Sequence, residues 1–362
     1  MKTALTIAAT TLGALSAGAA TAQAQVVIYG VLDSGVEYVN HANAAGDSVV
    51  KVPNLTGTVP SRLGFRGTEN LGGDLSAVFA LESGFYVDTG ALGYGGRLFG
   101  RTAYVGLKNS YGTLTLGRQS NMTAISLMKA DILTTNIHGN GNIDNYLPNS
   151  RSDNSIAYIG TFNGVTLGAT YSLGRDAANT GGPAATNCPG EAPGNAQACR
   201  QATGLLAYDT PRFGVAAAQD VMHGNAGAAF GLVSSDYTDK RSSLNGYVLF
   251  DTTKVGLGTM QRRTQTATKV RADLYFLGLS RPMTEKLVLD TQVARLSVRD
   301  TDKVSTLWVA RTVYALSKRT ATYASLGYMR NKGAAALPVD AGGSTGPGMN
   351  QTGLMIGVRH SF

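Results

Sequence analysis

The sequence predicts an all-β fold: a transmembrane antiparallel β-barrel of about 16 strands, with its long third loop folded into the lumen. Three observations lead to this prediction. Segments in which apolar and polar residues alternate recur along the chain, and helical periodicity is nearly absent. The breaks between these segments are alternately short and long. No apolar run of about 18 residues follows residue 24, so strands rather than a helix would cross the membrane.

The first 24 residues have the organisation of a secretory signal peptide. Met1 and Lys2 form a short basic start, a small and mostly apolar stretch follows, and Ala22-Gln23-Ala24 matches an Ala-x-Ala cleavage site. A retained membrane helix is the alternative, although the stretch is short and ends in small residues. We therefore predict a signal peptide over 1–24 and a single barrel domain over 25–362.

The alternating segments give the predicted strands in chain order. They are 26–40, 61–67, 75–86, 101–107, 113–119, 151–159, 165–173, 202–208, 214–222, 242–250, 255–265, 269–280, 286–298, 304–314, 320–329 and 349–362. Short turns on one side and long loops on the other are typical of barrels in bacterial outer membranes. In the last strand Leu354, Ile356 and Val358 share one face, and Gly357 and Arg359 share the other. The apolar face should meet lipid or a neighbouring subunit, and the polar face should line a water-filled lumen.

The stretch Ser120–Asn149 separates the fifth and sixth predicted strands. A connection of about thirty residues is far longer than usual, and such loops are commonly functional or disordered. This one contains apolar residues that should pack somewhere, among them Ile125, Leu133 and Ile143. We predict that it folds into the barrel and narrows the lumen; an ordinary excursion over the surface is the alternative.

The mature chain is basic. The full chain has 31 Lys and Arg residues against 23 Asp and Glu residues, so removal of Lys2 leaves a net charge of +7. A basic chain often binds nucleic acid. Here the basic residues are scattered, with no basic tract and no recognition helix, so we expect no nucleic-acid partner.

No catalytic constellation is apparent, and we predict neither a metal nor a cofactor. The four histidines His41, His138, His223 and His360 have no metal-ligand spacing, and neither a G-x-S-x-G elbow nor a P-loop occurs. Gly139-Asn-Gly141-Asn lacks the third glycine and the context of a dinucleotide site. An enzyme within a barrel therefore has little support.

Two cysteines, Cys188 and Cys199, lie eleven residues apart in a stretch rich in Gly, Pro, Ala and Asn. In an exported protein this pair predicts a disulfide that closes a surface loop. Metal binding is the alternative, but it would require further ligands nearby.

Three arginines lie at the ends of predicted strands. Arg62 alternates with the apolar Leu63, Arg101 begins the fourth strand on the same face as Ala103, and Arg151 follows the long loop. We predict that Arg62, Arg101 and Arg151 line neighbouring walls of the lumen where the loop enters. Alternatively, they are unrelated exposed arginines that pair with loop carboxylates.

Several motifs resemble one known family. They are Arg62-Leu-Gly-Phe-Arg-Gly-Thr-Glu-Asn-Leu-Gly-Gly73, Tyr104-Val-Gly-Leu107, Gly112-Thr-Leu-Thr-Leu-Gly-Arg-Gln119 and Gly357-Val-Arg-His-Ser-Phe362. The whole mature chain resembles the general porins of Gram-negative outer membranes, in particular the beta-proteobacterial kind. The resemblance implies a homotrimer of sixteen-stranded barrels, each with its own pore.

The resemblance also implies a constriction in which wall arginines face acids on the third loop. By position these arginines are Arg62, Arg101 and Arg151. The chain departs from its relatives in the loop, where many carry Pro-Glu-Phe-Gly. Here the loop offers Asp131 and Asp144 as acids and adds Lys129, which should favour anions.

The terminal aromatic Phe362 resembles the assembly signal read by the barrel-insertion machinery; an aromatic interface residue is the alternative. The expected location is the outer membrane, and the expected partners are its lipid, lipopolysaccharide, and small hydrophilic solutes and ions. The sequence thus predicts a passive, water-filled diffusion channel with weak anion preference. An adhesin or receptor that acts through its surface loops is the alternative.

Overall fold

The computed structural model describes residues 25–134, 136–144, 146–147, 150–176 and 186–362, and the predicted signal peptide lies outside them. The described chain forms one antiparallel sheet of seventeen strands. They are β1 (Gln25–Val39), β2 (Val49–Lys51), β3 (Arg62–Gly72), β4 (Leu75–Gly84), β5 (Thr102–Asn109), β6 (Gly112–Ser120), β7 (Arg151–Phe162), β8 (Val165–Ser172), β9 (Gln201–Asp209), β10 (Phe213–His223), β11 (Thr238–Phe250), β12 (Thr253–Gln265), β13 (Lys269–Pro282), β14 (Leu287–Val298), β15 (Val304–Ala315), β16 (Thr320–Lys332) and β17 (Gln351–Ser361).

The sheet closes into a barrel because β1 pairs with β3 on one side and with β17 on the other. Reciprocal backbone hydrogen bonds of 3.1 Å between Gly30 and Phe362 complete this seam. The short β2 pairs only with the end of β1 among the described strands, so the closed barrel consists of β1 and β3–β17. The sixteen-stranded antiparallel barrel predicted from the sequence is confirmed. Closure leaves no open edge with unpaired backbone groups.

The connections differ in length between the two ends of the barrel. At one end neighbouring strands are joined by tight turns such as Asn163-Gly164, where both residues have a positive φ. At the other end are loops that we name L1 (40–61), L2 (85–101), L3 (121–150), L4 (173–200), L5 (224–237), L6 (266–268), L7 (299–303) and L8 (333–350). L6 and L7 are the shortest of these loops.

The two faces of the barrel wall differ in polarity, as the alternation of the sequence predicts. In β11 the exposed fraction is 60% for Leu244, but only 6% for Ser243 and 5% for Asn245. In β17 Leu354, Ile356 and Val358 are likewise exposed. An apolar outer face is the arrangement that a barrel requires in lipid. Among the described residues, no helix is long and apolar enough to cross a membrane.

L3 contains two short helices, α1 (Met122–Leu127) and α2 (Asn140–Ile143). The Asn121 side chain caps α1 by accepting a hydrogen bond of 3.1 Å from the backbone N–H of Ala124. Several apolar side chains of L3 are buried in one cluster with apolar residues of β12–β16. The members of this cluster include Leu127, Ala130, Leu133, Ile143, Met260, Leu274, Phe276, Ala294, Leu307, Val309 and Met329. Apolar burial therefore attaches the loop to one side of the barrel wall.

Candidate functional site

A cavity of about 360 Å³ lies between L3 and the part of the wall that carries the predicted arginines. Its wall side includes Arg62, Glu82, Arg101 and Arg151, and its loop side includes Leu127, Met128, Asp131 and Thr134. The structure thus brings together the three arginines that the sequence analysis selected. The two sides differ in chemistry, because the wall is charged and the loop is largely apolar.

Glu82, on β4, is the carboxylate at the centre of this cluster. Its Oε2 lies 3.4 Å from Nε of Arg62 and accepts a hydrogen bond of 3.0 Å from the Tyr29 hydroxyl. Its Oε1 accepts a hydrogen bond from Nε of Arg101. Two guanidinium groups therefore share one carboxylate, and the wall side of the cavity keeps an excess of positive charge.

Tyr94 holds two of the arginines in place from L2. Arg101 donates a hydrogen bond of 2.6 Å to the Tyr94 hydroxyl, and the guanidinium carbons of Arg101 and Arg151 lie 5.7 and 5.0 Å from the ring centroid. These are cation–π distances. Burial raises the pKa of Tyr94, but the positive charges of Arg101 and Arg151 outweigh it, and the net shift is downward. The downward direction of the pKa shift agrees with the positive charge of Arg101 and Arg151 in this part of the wall.

The arginines reach the cavity from three different local settings. Arg62 begins β3, and Arg151 begins β7 and donates a hydrogen bond of 2.8 Å to the carbonyl oxygen of Arg101. Arg101 immediately precedes β5, so the strand alternation that grouped it with Ala103 does not govern its direction. That detail of the sequence analysis was wrong: Arg101 is 9% exposed and points to Glu82.

The loop acids have different environments. Asp131 lines the arginine-bearing cavity, and its Oδ1 accepts a hydrogen bond of 3.2 Å from the backbone N–H of Thr134. Burial raises the pKa of Asp131. Asp144 instead borders a second cavity, where its Oδ2 lies 2.9 Å from Nε of Arg241. Burial opposes ionisation of Asp144, but Arg241 and the neighbouring Arg262 hold its pKa at about 2.

Lys129 lies in a third place, near the short-turn end of the barrel. Its Nζ is 2.7 Å from Oδ2 of Asp209, the last residue of β9. Of the three loop charges that the sequence analysis grouped together, the structure therefore places only Asp131 beside the arginine cavity. Asp144 and Lys129 are paired with other residues at other levels.

Residues that the sequence analysis did not select also hold the loop. Nε2 of the fully buried His138 of L3 lies 2.9 Å from Oε1 of Glu37, and its Nδ1 lies 2.9 Å from the Ser325 hydroxyl.

Glu82 carried a sequence signal, since it is the single charge in an otherwise apolar strand segment. Tyr94 carried none that we can identify. Within the described residues, no group of three His, Cys, Asp or Glu side chains could hold a metal ion.

The predicted disulfide between Cys188 and Cys199 is present within L4, and it packs with Met222 and Leu232. Residues 177–185 of that loop lie outside the described residues. Phe362 is half exposed on the outer face, next to Gly30 of β1.

A closed sixteen-stranded barrel with an apolar outer face and a charged interior defines a channel-forming protein of the bacterial outer membrane. The comparisons with known proteins agree. A family model described as Gram-negative porin matches residues 5–334. The chain belongs to the Gram-negative porin family and is a multi-pass outer-membrane protein.

Individual relatives extend over the whole chain. Outer membrane porin protein 32 of Delftia acidovorans is 30% identical, with 96% of this chain and 97% of that protein covered. An outer membrane porin protein of Bordetella pertussis is 29% identical, with 99% of each covered. The solved anion-selective porin from Comamonas acidovorans is 27% identical and has a TM-score of 0.76, with 94% of this chain and 100% of that chain covered. A trimer form of an outer membrane protein of Vibrio cholerae has a TM-score of 0.64 at 14% identity, with 94% and 99% covered.

Proposed function

We propose that this porin is a passive, water-filled diffusion pore for small hydrophilic solutes and ions, with a weak preference for anions. The observation that carries the proposal is the cavity in which Arg62, Arg101 and Arg151 face L3. Glu82 and Asp131 are the carboxylates that line the same cavity. Positive charge therefore exceeds negative charge, and the excess grows when Asp131 is protonated. The name of the Comamonas acidovorans structure, an anion-selective porin, supports the same preference.

The proposal includes L3 as the element that narrows the lumen. L3 packs against side chains on the inner face of the wall, which is the face opposite to the exposed apolar one. The strands that carry these side chains lie far apart around the barrel. The contacts include α1 with β9, β10 and β11, and His138 with Glu37 of β1 and Ser325 of β16. The backbone oxygen of Ala130 also approaches Gly256 of β12 so closely that a Cβ there would lie 1.9 Å away. A loop with contacts on so many inward positions would cross the lumen rather than lie over the surface.

Each chain would form its own pore within a homotrimer, as the trimer form of the Vibrio cholerae protein suggests. Residues 1–24 would serve as a signal peptide that directs export. Phe362 would act as the terminal signal for insertion, in addition to its backbone pairing with Gly30. These three roles are expectations from the sequence and the family.

Conductance in a planar lipid bilayer tests the proposal. The purified protein should give stepwise, ohmic conductance, and a KCl gradient should give a reversal potential that favours chloride. The preference should weaken from 0.1 M to 1 M salt, because the Debye length falls from about 10 Å to about 3 Å. Absence of conductance would exclude a pore, whereas a cation-favouring potential would leave the pore and exclude the assigned selectivity.

A further inference from the structure

The cavity that Asp144 borders lies on the long-loop side of L3. It has a volume of about 240 Å³ and shares no lining residue with the arginine cavity. Thr186 of L4, Phe230 of L5 and Leu337 of L8 contribute to its walls. The adjacent residues Gly141 and Asn142 of α2 line the arginine cavity and this cavity, respectively, so α2 separates the two. We call it the vestibule cavity.

The walls of the vestibule cavity are mostly apolar. Met260 and Leu274 belong to the buried cluster that attaches L3 to the barrel wall. Leu296 and Leu337 pack against that cluster but are only partly buried. The volume equals that of roughly eight molecules of liquid water, which is enough for a solute the size of a single six-membered ring with one substituent. Because water gains free energy when it leaves an apolar surface, the walls favour a solute with an apolar body.

A charged cluster forms the polar side of the vestibule cavity. Arg241 donates from Nε to Oδ2 of Asp144 at 2.9 Å and from Nη1 to Oδ2 of Asp239 at 2.7 Å. Arg262 donates from Nε to Oδ1 of Asp239 at 3.0 Å. Two carboxylates thus face two guanidinium groups, and the charges of the cluster balance. A solute therefore gains little from net charge here, in contrast to the arginine cavity.

Arg262 is the member of this cluster that keeps donors for a solute. Its Nε is the only atom of the side chain with a hydrogen bond or salt bridge to a residue that the structure describes. The Arg262 side chain is 29% exposed, against 4% for Arg241 and 1% for Asp239. The two terminal nitrogens of a guanidinium can hold a carboxylate through two parallel hydrogen bonds. Such a pair of donors on the polar side of an apolar cavity selects for one kind of solute.

We propose that the vestibule cavity binds small monocarboxylates with a compact apolar body, the carboxylate on Arg262 and the body against Leu274 and Leu296. The inference rests on the proposed diffusion pore and names a solute class that the pore takes up. An inorganic anion uses the donors but not the apolar walls, and an uncharged solute uses the walls but only part of the donors. A dicarboxylate would bring its second charge against the apolar walls. The solute would occupy this cavity before it reaches the arginine cavity beyond α2.

Benzoate is the probe, because it joins one carboxylate to an apolar ring of the size that the cavity holds. The full mature protein is inserted in a planar bilayer in 0.1 M KCl, and the current noise that benzoate induces gives its apparent Kd. Acetate and benzamide should bind at least about tenfold more weakly, since acetate lacks the apolar body and benzamide lacks the charge. Equal binding of acetate would show that the apolar walls are not used, and equal binding of benzamide would show that the carboxylate is not recognised. Either result overturns the proposal.

The variant Arg262→Gln should raise the Kd of benzoate at least about tenfold, because Gln lacks the charged pair of terminal donors. The matched control is Arg263→Gln, which removes the same charge from the next residue of β12, an exposed side chain on the opposite face. This control should keep the wild-type Kd. If Arg262→Gln folds poorly, Leu296→Ala replaces it and should weaken benzoate but not acetate. A wild-type Kd for benzoate in the correctly folded variant contradicts the site.

The variant Arg62→Gln/Arg101→Gln/Arg151→Gln separates the vestibule cavity from the arginine cavity. It should alter the preference between K⁺ and Cl⁻ but keep the Kd of benzoate within a few fold. Loss of benzoate binding in this variant, with normal binding in Arg262→Gln, would move the site to the arginine cavity and refute the inference. Stepwise conductance without any effect of benzoate would leave the diffusion pore intact and refute the inference alone. Absence of conductance would refute the pore and the inference together.

Discussion

Removal of the three wall arginines should reverse the charge preference of the pore. In the variant Arg62→Gln/Arg101→Gln/Arg151→Gln, the carboxylates of Glu82 and Asp131 would remain in the cavity without the positive charges that now exceed them. The lining would change from net positive to net negative. Gln retains much of the side-chain length and can still donate hydrogen bonds to Glu82 and Tyr94.

The size of the effect follows from Coulomb's law. A unit charge about 8 Å from a permeating ion contributes roughly 0.5 kcal/mol in water, so three charges contribute about 1.5 kcal/mol. When the arginines are removed, the anion loses this stabilisation and the cation is freed of an equal repulsion. The unscreened change in the preference for the anion over the cation is therefore about 3 kcal/mol. At 0.1 M salt the Debye length of about 10 Å roughly halves the change, to about 1.4 kcal/mol or tenfold.

The assay is the reversal potential across a KCl gradient, measured with the mean concentration near 0.1 M and again near 1 M. Arg263→Gln/Arg271→Gln/Arg295→Gln is a matched control, because it removes the same number of charges from the outer face and should keep wild-type selectivity. Glu82→Gln should raise the anion preference. Wild-type selectivity in an open pore of the inner triple variant would show that these arginines do not line the constriction.

Three further predictions concern the loop and the seam. The pKa of Asp131 is raised by burial, so its negative charge should disappear as the pH falls through that raised value, and the anion preference should increase. Asp131→Asn should show the higher anion preference already at neutral pH. The anion preferences of the wild type and of this variant should become equal at low pH, and a lasting difference there would refute this assignment. Gly256→Ala should displace L3, because the new Cβ would lie 1.9 Å from the backbone oxygen of Ala130. Its single-channel conductance should therefore change. The change should be larger than in the control Gly204→Ala, whose Cβ would meet nothing within 4 Å. Deletion of Phe362 should lower the outer-membrane yield far more than it alters the conductance of refolded protein; a normal yield of the deletion variant would end the idea of an assembly signal.

The outer and inner faces of the wall were readable from the sequence because side chains alternate across a strand. This alternation correctly placed Leu354 and Ile356 on the exposed apolar face. One signal was available but not used: the run Leu274-Tyr-Phe-Leu277 in β13 is apolar at inward as well as outward positions. Such a continuous run indicates burial on both faces, and in the structure Leu274 and Phe276 are buried in one apolar cluster with residues of L3.

The loop charges show where the sequence could not decide. Asp131, Asp144 and Lys129 lie on one loop, but its irregular backbone has no period from which the direction of a side chain follows. Their positions depend on how L3 packs across strands that are distant in sequence, and this packing sends Asp144 to Arg241 and Lys129 to Asp209.

By itself, the sequence determined the barrel, its strand number, its two faces and the disulfide, because each depends on local alternation or spacing. It also selected Arg62, Arg101 and Arg151 as candidate lumen residues, by their place at strand ends and in the motifs that resemble the family. Only the tertiary structure decided which groups meet these arginines. Glu82 and Tyr94 come from β4 and L2, and they reach the cluster only when the sheet has closed and L2 has folded back.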